Sequence, residues 1–129
     1  MNSKSVKVGL LAFVVASAIG CSSQVEVRGT VTWNGEPLKE GTIVFEATDP
    51  NVIGGSGPIK DGKFSFKSPP GAMRVMIYAT RESGKFDPAM GAAPREQFLP
   101  ARYNTETKLT AEVTRRGPNE FTFPLSEKE

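Results

Sequence analysis

The stretch "VEVRGTVTW", residues 25–33, decides the architecture. Val25, Val27, Val31 and Trp33 fall on one parity, and Glu26, Arg28, Thr30 and Thr32 on the other. Successive side chains of a strand point to opposite faces, so this period of two predicts a strand with one buried and one wet face. Gly29 falls on the apolar parity, where a missing side chain marks a bulge or close packing. Asn34-Gly35 follows, and both residues tolerate positive φ, which suits a tight hairpin turn.

The same period recurs downstream. "TIVFEA" turns Ile43 and Phe45 inward. "GGSGPI", "KDGK" and "FSFK" read as strand, Asp61-Gly62 turn and strand, with Phe64 and Phe66 on one face. After the "SPPG" turn, "AMRVMIYA" places Met73, Val75 and Ile77 together. "LTAEV" adds Leu109, Ala111 and Val113, and "NEFTFPL" adds Phe121, Phe123 and Leu125. That makes about seven strands, and no segment after Cys21 sustains a helical period. One-sided alternation belongs to antiparallel sheets, and two such sheets pressed together enclose a single core. The expected fold is all-β, an antiparallel β-sandwich of about seven strands, transthyretin- or immunoglobulin-like.

The N-terminus obeys different rules. "MNSKSVK" carries Lys4 and Lys7, and "VGLLAFVVASAI", Val8 to Ile19, carries no charge. That run is shorter than the roughly 20 residues a spanning helix needs. It fits the apolar centre of a signal peptide, about 7–15 residues between a basic start and small residues such as Ala16, Ser17, Ala18 and Gly20. At its polar edge sits Cys21, the one cysteine of 129 residues. An exported chain with one cysteine has no intramolecular disulfide to form, so the thiol needs another purpose.

Ala18-Ile19-Gly20-Cys21 resembles the lipobox of bacterial lipoproteins, with Ala18 where that family most often has Leu. The resemblance implies a diacylglyceryl group on Cys21, cleavage before it and acylation of the new amine. A thiolate is the nucleophile such a thioether requires. Residues 1–20 are then a lipoprotein signal peptide, 21–24 a lipidated Cys with a short tether, and 25–129 the sandwich. Ser22, rather than Asp, follows the cysteine, which resembles release to an outer membrane more than inner-membrane retention. The expected partner is therefore a membrane, reached through lipid on Cys21.

The body has a resemblance of its own. "VRGTVTWNGEPLKEGTIVFE", "GPIKDGKFSFKSPPGAMRVMI", "LPARYN" and "NEFTFPL" together look like the carboxypeptidase-regulatory-like, transthyretin-type domain. Small bacterial lipoproteins carry that domain directly after the lipobox. The likeness covers Val25 to about Leu125 and implies a fold more than an activity.

Residues 80–107 lack a strand signal and read as one long loop. Loops beyond about 12–15 residues tend to be functional or mobile. "REQFLPARY" suggests one helical turn, with Phe98 and Leu99 covering an open end of the sandwich. Two readings stand: a recognition loop with Arg81, Arg95, Arg102 and Tyr103 as contact residues, or a packed cover with an exposed tip. The second is preferred.

Composition excludes several function classes. Lys and Arg number 16 against 14 Asp and Glu, and two of the lysines precede Cys21, so the remainder is balanced. Basic residues are interleaved with acidic ones, which does not suit a phosphate-neutralising face, and no nucleic acid is expected. Arg115-Arg116, the densest basic pair, reads as a solvated turn flank. Histidine is absent, which removes the commonest general base and the Ser-His-Asp triad. With Cys21 committed to lipid, no cysteine zinc site is expected. "GGSG", residues 54–57, opens no helix and makes a poor phosphate loop. The aromatic residues, Trp33 included, fall on core parity. The chain thus reads as a protein without catalysis, cofactor or metal. Its expected role is a membrane-anchored envelope lipoprotein, structural or protein-interacting. The alternative is an accessory carbohydrate- or peptide-binding module, whose partner would be a surface glycan or a peptide.

Overall fold

A computed structural model describes residues 24–128; Cys21 and the leader before it lie outside the described residues. The body is all-β, with a single 3-10 turn at Ala101–Tyr103. Its strands are β1 (Val25–Trp33), β2 (Glu36–Pro37), β3 (Glu40–Ala47), β4 (Gly55–Lys60), β5 (Lys63–Ser68), β6 (Gly71–Tyr78), β7 (Thr80–Glu82), β8 (Arg95–Gln97), β9 (Thr110–Val113) and β10 (Asn119–Leu125). Seven of them form one continuous path, β10-β1-β5-β4-β3-β6-β9, with β2 hairpinned onto β1.

The path curls back on itself. Phe45 of β3 meets Phe66 and Phe64 of β5 at ring-centroid distances of 5.0 and 6.4 Å, and Phe121 of β10 at 5.7 Å, all edge-on. The corner lies between β4 and β5, whose ladder holds only Ile59↔Phe64 and Lys60↔Lys63, whereas β3 and β4 pair from Glu40↔Lys60 to Phe45↔Gly55. Gly55 and Gly57 let β4 lie close to β5: a Cβ would stand 2.5 Å from the Lys67 carbonyl oxygen at Gly55 and 3.0 Å from Phe66 Cβ at Gly57.

Alternation in the strands becomes burial in the body. Val27, Val31, Ile43, Met73, Val75, Ile77, Ala111 and Val113 are buried, and so are Phe45, Phe64, Phe123 and Leu125. Val25, Trp33, Phe66, Leu109 and Phe121 pack against that core while partly open. The turns follow their dipeptides. Asn34 and Gly35 have φ of 52° and 85°, and Asp61 and Gly62 have 51° and 76°, the positive pairs that two-residue hairpins need. Gly29 marks close packing: a Cβ there would lie 1.9 Å from the Phe121 carbonyl oxygen.

Two features depart from the sequence reading. The first and last strands of the sheet, β1 and β10, pair in parallel from Val27↔Asn119 to Trp33↔Leu125, within a sheet otherwise antiparallel. Residues 80–107 are not one loop: β7 and β8 form a separate two-stranded sheet, with Asp87 and Ala92 bridged nearer its tip. The helical turn is present, but it starts after Pro100, which stands at its N-cap position.

β1 defines two ends of the body. It begins at Val25, beside Ser68 of β5, and ends at Trp33. At about 3.3 Å per residue the two ends are about 26 Å apart. The Val25 end carries the β3–β4 connection, the "SPPG" turn and residues 114–118. The Trp33 end carries the two hairpin turns, the β7–β8 sheet and the C-terminal residues.

Candidate functional site

The end of β8 ties the β7–β8 sheet to the body. Gln97 Oε1 accepts the Ala79 amide at 2.8 Å and the Leu99 amide at 3.4 Å, while the Phe98 amide donates to the Ala79 carbonyl at 3.1 Å. Leu99 is thereby buried, and Phe98 is set edge-on against Trp33 with centroids 5.6 Å apart. Between this sheet and the β1–β2–β3 corner opens a cleft of about 1060 Å³.

Arg81 and Arg95 both line it. The Arg81 guanidinium lies 5.5 Å from the Phe98 ring centroid, and its Nε donates to Glu96 at 3.4 Å. Arg95 holds the neighbouring strand, donating to Thr80 Oγ1 and to the Thr80 carbonyl, each at 3.0 Å. Glu36, Lys39, Glu40, Lys60, Asp61 and Glu82 are its other charged residues. With the two arginines these make four bases and four acids, so the cleft offers both donors and acceptors without a dominant sign.

Trp33, the chain's one tryptophan, forms part of this wall. It packs on the core as its parity predicts, yet it remains partly open. Sequence reasoning placed Trp33 in the core and missed the cleft, because Phe98 and Arg81 lie far along the chain.

The other two candidate contact residues face a different task. Tyr103 Oη accepts the Ser126 amide at 2.9 Å and donates to the Ser126 carbonyl at 3.1 Å. The Arg102 guanidinium stacks 4.8 Å from the Tyr103 ring centroid and donates to the same Ser126 carbonyl. Both hold the C-terminal residues down and belong to the packed cover. So do Asn104, whose Nδ2 donates to the Pro100 carbonyl at 3.2 Å, and Thr107, whose Oγ1 donates to the Val75 carbonyl at 2.7 Å.

The tip of the β7–β8 sheet presents apolar surface. Phe86 is 65% and Met90 72% exposed, and with Ile53 at 90% they are the large exposed hydrophobic residues of the described chain. A second hollow, about 620 Å³, lies over Gly29 beside β1, β5 and β10, floored by Phe64 and Phe121. Among the described residues no three His, Cys, Asp or Glu side chains gather as a metal site. The remaining candidate, Cys21, lies outside the described residues. The chain matches no family model, no curated protein and no solved structure.

Proposed function

We propose that this protein is a lipid-anchored, non-catalytic interaction module of the cell envelope. It holds a membrane through lipid on Cys21 and offers its Trp33 end to a partner protein. The observation that carries the reading is the position of Phe86 and Met90. Two large apolar side chains stand in solvent at the tip of a sheet rooted at the end of the body opposite the tether. The two lie four residues apart in the β7–β8 connection, and contiguous exposed apolar patches commonly mark interaction sites. The lipobox-like Ala18-Ile19-Gly20-Cys21 and the resemblance of the body to carboxypeptidase-regulatory-like domains support the same reading.

The test has two arms. Cys21→Ala removes the protein from the membrane fraction, and intact mass of the wild type carries the added lipid. A photo-crosslinking residue at position 86 captures one discrete envelope protein that the same residue at Thr30, in the hollow over Gly29, does not. Equal capture at both positions ends the interaction reading; an unmodified Cys21 ends the anchor reading.

One observation favours a second reading, an accessory carbohydrate- or peptide-binding module. The partly open Trp33 ring, beside mixed charges, suits a neutral polyhydroxylated or peptide ligand. Because Trp33 is the sole tryptophan, any ligand in the cleft would shift the protein's intrinsic fluorescence.

A further inference from the structure

The tether end of the body has chemistry of its own. The connection from β9 to β10, residues 114–118, carries Arg115 and Arg116, both exposed and in no ion pair among the described residues. It is a stiff connection. Asn119, buried at its base, accepts the Thr114 amide at 2.9 Å on Oδ1 and donates to the Thr114 carbonyl at 2.9 Å through Nδ2. Thr114 Oγ1 also donates to the Arg116 carbonyl at 2.8 Å. The two guanidinium groups are thus presented by a braced turn.

Ile53 stands at the same end, in the β3–β4 connection, and at 90% exposure it is the most exposed large hydrophobic residue described. The acids nearby are in part engaged. Glu26 Oε1 accepts the Ser65 hydroxyl at 3.4 Å, and Asp49 Oδ1 accepts the Asn51 amide at 2.9 Å; Glu112 is exposed on β9. Cys21 precedes Val25 by four residues, a span of at most about 14 Å when fully extended. A lipid on Cys21 therefore keeps the Val25 end within about 14 Å of the bilayer surface.

Resting on the anchor reading above, we infer that the Val25 end is a membrane-docking face for anionic phospholipid headgroups. Arg115 and Arg116 meet the phosphates and Ile53 enters the interface between headgroups and acyl chains. Arginine pairs bidentately with phosphate, and a basic patch adds to an acyl anchor as a second membrane signal. The consequence is orientation: the sandwich stands on this end, with the cleft and the β7–β8 tip held away from the bilayer.

Tryptophan fluorescence tests this directly on the full-length lipidated protein. It is reconstituted in phosphatidylcholine vesicles containing brominated lipid and about 30 mol% phosphatidylglycerol, an anionic surface of the kind that attracts basic segments. Trp33 of the wild type stays unquenched. In the W33F/I53W variant, the tryptophan at position 53 is quenched. That quenching falls to the level seen on phosphatidylcholine alone when R115E/R116E is added. Positions 53, 115 and 116 are exposed, Trp33 is partly buried and keeps an aromatic ring as Phe, and circular dichroism checks the fold of each variant. Equal quenching at positions 33 and 53, or quenching at 53 indifferent to phosphatidylglycerol and to R115E/R116E, overturns the docking face. A bare Cys21 in the intact mass identifies failure of the anchor reading, and with it of the orientation.

Discussion

The Tyr103 hydroxyl closes a two-way hydrogen bond with the backbone of Ser126, accepting its N–H at 2.9 Å and donating to its C=O at 3.1 Å. One side chain thereby satisfies both polar groups of a residue just past the last strand. It joins the 3-10 turn to the end of β10, which itself lies beside β1. Tyr103→Phe removes both bonds while keeping the ring. The expected loss is about 1–3 kcal/mol. For a domain of this size each kcal/mol lowers Tm by about 4–8 °C, which thermal denaturation followed by circular dichroism will read. An unchanged Tm would mean that the tail is not held by this contact.

Phe45 is the point where the two layers touch. Its ring meets three other phenylalanines and is buried. Phe45→Ala should cost about 3–5 kcal/mol, since both transfer energy and a cavity are lost. Phe66→Ala should cost less, because Phe66 is only half-buried. Denaturant midpoints for the two variants give the order; the reverse order would contradict the curl of the sheet.

Gly29 and Gly84 form a contrasting pair. A Cβ at Gly29 would overlap the Phe121 carbonyl oxygen, whereas at Gly84 the nearest atom is Pro94 Cγ at 3.4 Å. Gly29→Ala should destabilise by about 1–3 kcal/mol or more, because the β1–β10 backbones must move apart. Gly84→Ala should stay within about 0.5 kcal/mol of the wild type. Chemical denaturation measures both.

Asn119 braces the turn bearing the paired arginines. Asn119→Ala leaves the Thr114 amide and carbonyl without their partner and should cost about 1–3 kcal/mol. Hydrogen exchange at the Thr114 amide should accelerate with it. Slow exchange retained at Thr114 would show that something else holds the turn.

Arg28 and Glu120 make the shortest ion pair, 2.8 Å, on the outer face of β1 and β10, but both side chains are more than half exposed. Exposed pairs contribute about 0–1 kcal/mol. Arg28→Ala should therefore lower stability by less than about 1 kcal/mol, and the difference should shrink at high salt. A larger loss in a urea titration would show that the pair is more desolvated than its exposure indicates.

The sandwich was legible because its signals are local. Val27 and Val31, or Met73, Val75 and Ile77, declare a buried face by parity alone, and Asn34-Gly35 and Asp61-Gly62 declare turns by the φ they tolerate. The β7–β8 sheet was not legible for the complementary reason. Thr80–Glu82 and Arg95–Gln97 are exposed at every position, so neither strand has a buried face to alternate with. Pairing there is set by the cross-strand register, Arg81↔Glu96, and by Gln97 reaching the Ala79 amide. Of the candidate contact residues, Arg81 and Arg95 meet at the cleft, while Arg102 and Tyr103 turn to the tail.

What the amino-acid order determined alone is the strands that line the core, the face each of them buries and the hairpin turns between neighbours. These depend on interactions within a few residues or on the two-residue period of an extended backbone. Only the tertiary structure decided the parallel union of β1 with β10, the corner at β4 and β5, and the meeting of Trp33 with Phe98. Those are contacts between distant parts of the chain, chosen by which apolar faces fit together. No local propensity records that choice.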